Sequence, residues 1–519
     1  MYKRALISIS LILFILIFGV HFYFNFKTRI EPPSNEWSKE ALLAEGSIQC
    51  SPKLIKFKDN YIVVYSDGKN IKVLKVNTIG IKTEEKSIPI KDGTIKDIHL
   101  FTNDNDLFMV SEIIDGKTKK VLFLKGNDTF EFKEAETIPN VSDVVQIDKY
   151  AMALSQNNKI EFINFKENQK CFKDVAKERF LMGSKNKDGY ILCYLVDTGE
   201  FDYVTIKDGK ISDPKLGGYT SEMTRINFLR TTMIVNDNIA NVLIEYKFRD
   251  EYAGARLLTF SLNTKKYDNS EFKLNGEQRI ISNIEQFSKG SENSILATAS
   301  RTIGNKKVFE DIVKFDTKNG AFVNATPLSR SKEISLYANG SEDTAIFCDI
   351  IGKDNLKLYM VSTREDFKKA NSTIRKDEIK LAIEDTFQSL IYSVGYIIIY
   401  GMFWILPSLF IAVILTVLEY RLNKKMRQNA FILLCIAATL IKWYFIHKIS
   451  YVRYGMLLPQ LLNPYVGLGI CVLISFAFFM PAYFKYKKEE GYRVIMLPFS
   501  VALILESFLT VMFFGSFLV

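Results

Sequence analysis

Two ionisable side chains stand where ions are rare. Lys442 interrupts the apolar run 429–447 and Glu506 the apolar run 494–517. A lone charge at the centre of such a segment costs about 2.5–3.5 kcal/mol on insertion scales, so each needs a partner or a function. If both runs are helices entered from the same side, near Asn429 and Val494, a rise of 1.5 Å per residue puts the two side chains at depths of about 19 and 18 Å. The matched depths predict a lysine–glutamate pair between two helices; the alternative is a snorkelling Lys442 and a protonated Glu506 facing a neighbouring helix. A second pattern lies upstream, where Tyr392, Tyr396, Tyr400 and Trp404 recur every four residues and mark one slowly rotating helix stripe. Such a stripe suits helix packing, an interfacial aromatic belt or a ligand groove.

Elsewhere the residues for chemistry are sparse. Of three histidines, His99 alone falls between 27 and 385, so a Ser-His-Asp constellation or a histidine-based metal site in that region would depend on it. Gly-x-Ser-x-Gly, phosphate-cradling glycine loops and dinucleotide fingerprints are absent. Asn103-Asp-Asn-Asp106 has neither the glycine at the sixth position nor the glutamate at the twelfth that a calcium loop needs, and reads as a turn. Cys193 and Cys348 fall at inward positions of apolar strands and read as small buried side chains; Cys50, after Ser47-Ile48-Gln49, does not sit in a lipidation box. No metal and no cofactor are expected. The net charge of +10 raises the question of nucleic acid, but lysines alternate with acidic residues or flank apolar runs, and no basic aromatic groove is visible. No nucleic-acid partner is expected.

The elements that must position these residues are of two kinds, because the charged residues crowd into 27–385 while 5–26 and 386–519 are mostly apolar. Ala5–Phe26 carries no charge and, as a helix, covers about 33 Å, enough for a bilayer core of roughly 30 Å. It ends in aromatic rather than small residues, which favours a retained anchor over a cleaved signal peptide. Four further apolar runs, 387–418, 429–447, 465–484 and 494–517, are also long enough to span. Lys3 and Arg4 before the first run, Arg421, Lys424, Lys425 and Arg427 after the second, and Lys485, Lys487, Lys488 and Arg493 after the fourth place those ends in the cytoplasm. The reading is a multi-pass cell-membrane protein with five spans, a cytoplasmic N-terminus and an extracytoplasmic region of some 350 residues.

That region repeats. An acidic residue leading into an apolar strand recurs at Asp59-Asn-Tyr-Ile-Val-Val-Tyr65, Asp104 to Val110, Asp148 to Leu154, Asp188 to Tyr194, Asp237 to Leu243, Glu292 to Thr298 and Glu342 to Cys348. The copies are 40–55 residues apart, the size of a four-stranded propeller blade, and hairpin signals such as Ser66-Asp-Gly-Lys69 follow within them. The pattern resembles a β-propeller in architecture only, since the Gly-His and Trp-Asp dipeptides of the WD40 type are absent; a two-sheet sandwich array is the alternative. Ring closure is expected from pairing of 46–50 with 366–374.

The fold expected is thus a membrane-anchored, all-β extracytoplasmic β-propeller of about seven blades joined to an α-helical membrane domain. The expected divisions are 1–26 anchor, 27–47 linker, 48–374 propeller and 375–519 four-helix membrane domain. Composition rich in lysine, isoleucine and asparagine suits an AT-rich bacterial genome. The function expected is non-enzymatic: an integral membrane binding, scaffold or sensor protein whose propeller recognises a protein, peptide or glycan, and whose helices dock a membrane-protein partner or a second copy within the lipid bilayer. The alternatives are a transporter or transporter accessory subunit using Lys442 and Glu506, and an extracytoplasmic propeller hydrolase or lyase using carboxylates.

Overall fold

In the computed structural model each of the seven acidic turns leads into the second strand of an antiparallel blade of four or five strands: Asn60–Ser66, Leu107–Asp115, Ala151–Gln156, Gly189–Val196, Ile239–Phe248, Glu292–Ile303 and Thr344–Gly352. The structure describes the chain except residues 1, 92, 117, 128–129, 176–177, 197–198, 221–225, 249–250, 265, 291, 304–305, 331–333, 353–354, 456–457, 460, 489–493 and 519, and the side chains of 226 and 301–309. Those second strands read as continuous apolar runs because both of their faces are covered: in Asn60–Ser66 every residue after the first is buried. The turns before them need left-handed backbone, and Asp104, Asp237 and Glu342 supply it at φ 74°, 54° and 58°.

The strands group into seven blades, 1 to 7 in chain order: 53–89, 94–139, 143–174, 178–219, 226–271, 281–327, and 335–362 completed by Ala41–Gly46; a single parallel bridge, Ser288↔Ser341, links the first strands of blades 6 and 7. Each is joined to the next by its own buried apolar cluster. Ile55 and Val64 of blade 1 pack with Ile98 and Met109 of blade 2, and equivalent clusters continue between successive blades. The last cluster unites Ile346 and Leu358 of blade 7 with Val63 and Leu74 of blade 1. Seven inter-sheet cores that return to their start form a closed ring, a β-propeller, and exclude the sandwich array. Cys193 and Cys348 lie fully buried in two of these cores as free thiols.

Closure differs from expectation. The closing strand is Ala41–Gly46, paired antiparallel to Asn355–Ser362 from Ala41↔Met360 to Gly46↔Leu356. Residues 46–50 only lead from it toward blade 1, and 366–374, expected to be its partner, contain helix α2 (Glu365–Asn371) instead. Glu365 and Asp366 occupy the first turn of α2, where acidic side chains suit the helix dipole, and Phe367 turns into the core between blades 7 and 1. Gly80, at φ +87°, admits that ring; a Cβ there would stand 2.6 Å from it. The expected linker 27–47 is therefore mostly structure: helix to Ile30, Trp37 buried between blades 6 and 7, then the closing strand.

The chain divides into this ring, Pro32–Thr302 with Lys307–Thr373, and a mainly helical unit, Met1–Glu31 and Ile374–Val519, with which the short segment Ile303–Lys306 is grouped. The helical unit comprises α1 (Tyr2–Ile30), α3 (Lys376–Tyr396), α4 (Met402–Leu418), α5 (Lys424–Ile446), α6 (Pro464–Lys488) and α7 (Met496–Gly515). A π-helical turn, Ile397–Gly401, joins α3 to α4. Among the described residues five helical stretches are long and apolar enough to cross a membrane: α1, the α3–α4 stretch, α5 with its continuation, α6 and α7. α7 is the hub, packed against α1, α3, α4 and α6. The flanking cations Arg421, Lys424, Lys425, Lys485, Lys487 and Lys488 lie at helix ends as the sequence implies; Arg493 falls outside the described residues.

Candidate functional site

The helical unit gathers its polar side chains around α7. Lys442 of α5 and Glu506 of α7 are both fully buried, and the ammonium is ion-paired with Glu506 Oε2. Lys442 Nζ also donates to Ser475 Oγ of α6 at 2.7 Å and to Thr510 Oγ1 at 3.3 Å. Glu506 Oε1 has no hydrogen-bond partner among the described residues. Three helices thus share one charge pair and two hydroxyls, an arrangement that fixes their relative register.

Part of the aromatic stripe joins this cluster. Trp404 is 2% exposed and its indole Nε1 donates to Ser507 Oγ at 3.0 Å. Tyr396 and Tyr400 stack with ring centroids 5.3 Å apart, and with Trp404 they line a cavity of about 20 Å³ whose far wall includes Ser450 and Thr510. Four residues overshoot one α-helical turn by some 40°, and the wider π turn Ile397–Gly401 takes up that overshoot between Tyr396 and Trp404. Tyr392, before the π turn, rotates out of the stripe and is 57% exposed, so the stripe has three members rather than four.

A second polar site lies along the axis of the ring, where the first strand of each blade presents its side chains. Two cavities of about 600 and 480 Å³ share Lys53, Gln146, Glu285 and Gln286, which form a waist between them. At the waist one carboxylate oxygen, Glu285 Oε1, takes Lys53 Nζ at 3.4 Å and Arg230 Nη1 at 3.0 Å. Burial opposes charge on Lys53, but Glu285 and Asp97 outweigh it and raise the ammonium above its ordinary value; the same two cations hold Glu285 below the usual carboxylate range against its own burial.

In the larger cavity Asp97, His99 and Glu112 come together, with one ligand-type atom of each within 4.8 Å of the others. His99 Nε2 lies 3.0 Å from Glu112 Oε1, and Glu112 Oε2 is ion-paired with Lys119. Burial favours a neutral Glu112, yet the hydrogen bond and charge of His99 and the charge of Lys119 prevail and hold the carboxyl down at about 2. Asp143, facing the same cavity, goes the other way: burial raises it even though it accepts from Leu181 N at 2.8 Å.

Sequence reading singled out His99 alone. The signal for its neighbours was the turn Asn103–Asp106, which sets Thr102 opposite Leu107; counting five residues back on either strand brings Asp97 opposite Glu112. No comparable local signal exists for Lys53, Arg230 and Glu285, which belong to blades 1, 5 and 6 and meet only across the axis.

No protein-family model and no curated protein matches the chain. Solved structures similar in outline include the N-terminal domain of Nup159, at 10% identity and a TM-score of 0.40, covering 64% of this chain and 97% of that one. Another is the Neurospora crassa Pan2 WD40 domain, at 10% identity and a TM-score of 0.38, covering 62% of this chain and 90% of that one.

Proposed function

We propose that this chain is a non-enzymatic integral membrane binding or scaffold protein, with five spans, a cytoplasmic N-terminus and an extracytoplasmic ring that recognises a protein, peptide or glycan. The observation that carries the reading is the pairing of a closed, loop-rimmed ring around a polar channel with helices that present large apolar side chains outward, such as Ile398, Phe410 and Leu473 at 77%, 67% and 67% exposure. Lipid or a partner's helices would cover such faces. The transport reading has one observation in its favour, the enclosed Glu506 with a bare oxygen beside a small cavity-lining threonine.

Orientation is tested by single cysteines in intact cells. Asp208 lies in a left-handed turn of blade 4 and Asn423 caps α5 by accepting from Met426 N. Asp208→Cys should react with an impermeant thiol reagent and Asn423→Cys should not; the reverse pattern would falsify the topology. Recognition is tested by a photo-crosslinking residue at Lys149, on the rim of the smaller cavity, followed by purification of the full chain from its native membrane. A discrete adduct supports binding, whereas no adduct together with solute uptake into vesicles carrying the protein alone would favour transport.

A further inference from the structure

We infer that the ring channel contains a divalent-cation site formed by Asp97, His99 and Glu112, suited to Zn²⁺ or Mn²⁺. The placement follows from strand geometry. Asp97 and Glu112 are directly opposed across the first hairpin of blade 2, and His99 lies two residues beyond Asp97, so all three project from one face of the sheet. Ligand atoms held at about 2.1 Å from one ion stand roughly 3–4 Å apart. His99 Nε2 and Glu112 Oε1 are already 3.0 Å apart, and Asp97, partly exposed, has only to close the remaining gap within the 4.8 Å cluster.

The surroundings are those of a metal site open on one side. His99 and Glu112 are 5% and 3% exposed, which desolvates the ligands, while the cavity of about 600 Å³ in front of them leaves room for water or a small ligand to complete the coordination. Lys119 engages the other oxygen of Glu112 and donates to Ser142 O at 3.2 Å, which orients the carboxylate from behind and leaves Oε1 facing the histidine. A separate observation points to a cationic occupant of this cavity: Glu178, 8% exposed and lining it, has an Oε2 without any hydrogen-bond partner among the described residues. One imidazole with two carboxylates is a mixed nitrogen and oxygen set, which fits first-row ions of borderline character better than calcium or magnesium.

Positive charge around the ligands opposes binding, and Lys96, the exposed member of the two lysines on Glu112, makes the proposal specific. Lys96 Nζ stands 3.8 Å from Glu112 Oε2, and its side chain is 52% exposed, so an incoming ion takes over a charge that Lys96 balances while the lysine turns to water. Removing that charge should strengthen binding.

The test uses the full chain purified in detergent, stripped with chelator and titrated separately with Zn²⁺ and Mn²⁺ by calorimetry, with bound metal counted after desalting. One ion per chain is expected, with affinity at least about tenfold weaker in Asp97→Asn and in His99→Gln and several-fold tighter in Lys96→Met. Metal-free melting curves identify any variant that has lost its fold, and Lys96→Met, altering a half-exposed side chain, keeps the test decisive if His99→Gln does not fold. Equal affinity in folded Asp97→Asn, or no stoichiometric ion in Lys96→Met, overturns the site. Neither outcome bears on the proposed binding role of the ring, which does not depend on a metal.

Discussion

In the helical unit Lys442 and Glu506 are wholly enclosed and ion-paired, with Ser475 and Thr510 hydrogen-bonded to the ammonium. In the ring Lys53 and Arg230 share Glu285, and Glu112 lies among His99, Lys119 and Lys96, beside cavities large enough to hold water. Both regions bury charge, but the ring shares it among several ionic partners, whereas in the helices Lys442 and Glu506 each have the other as counter-ion. A distributed network loses one member with partial compensation from the rest, whereas a single pair leaves a bare ion when either side is removed.

The largest effect expected separates the two regions altogether. Deleting Ala41–Gly46 removes the closing strand and opens an edge on Asn355–Ser362, so the ring should lose its cooperative unfolding transition while α-helical circular dichroism persists. A deletion variant whose ring melts like the intact protein would show that closure is not what holds the seven blades together. Next comes the isolated pair: Lys442→Glu and Glu506→Lys should each cost about 3–5 kcal/mol, seen as less folded protein in the membrane, and the double exchange should recover most of it. Lys53→Met, by contrast, leaves Glu285 with Arg230 and should cost less, about 1–3 kcal/mol by thermal melting. Equal losses for Lys53→Met and Lys442→Met would erase the distinction drawn here.

The smallest effect is a slope in acid. The folded ring holds the Glu112 carboxyl at about 2 against 4.5 ordinarily, so as pH falls the unfolded chain takes up this proton first. The stabilisation is complete above about pH 5 and disappears between pH 5 and 2, on the order of 3 kcal/mol in all. Glu112→Gln should flatten that part of the curve of stability against pH, measured by urea unfolding. Asp143, raised by burial, contributes with the opposite sign and should leave the remaining slope shallower.

These regions also differed in how far they could be read from residues alone. The second strand of each blade is covered on both faces, so it appears as an uninterrupted apolar run after an acidic turn, and seven such runs gave the blade count. The first strands line the axis and mix charged with apolar residues without a regular period, as in Lys53–Phe57 or Thr94–Thr102, which reads as an ordinary edge. The channel residues therefore escaped notice: their partners lie in other blades, and only closure of the ring brings them within reach. The depths of Lys442 and Glu506 could be compared because a helix advances by a fixed rise per residue. The exclusion of Tyr392 could not be foreseen, since nothing in Ile397–Gly401 announces a π turn.

The pairing of Ala41–Gly46 with Asn355–Ser362 has a mechanical consequence. Because the strands are antiparallel and Ala41 faces Met360, the two chain segments leave the ring side by side, next to the reciprocal hydrogen bonds of Ser38 and Ser362. Tension drawing those segments apart would peel the closing strand one hydrogen bond at a time, the geometry in which a β pair resists force least. Within the helical unit the continuations of the same two segments are fastened to each other, Arg29 Nε to Asp385 Oδ2 at 2.6 Å and Asn25 Nδ2 to Thr386 Oγ1 at 3.0 Å. Peeling Ala41–Gly46 from Asn355–Ser362 would therefore open the ring without by itself freeing the two segments from each other, since Arg29 still holds Asp385.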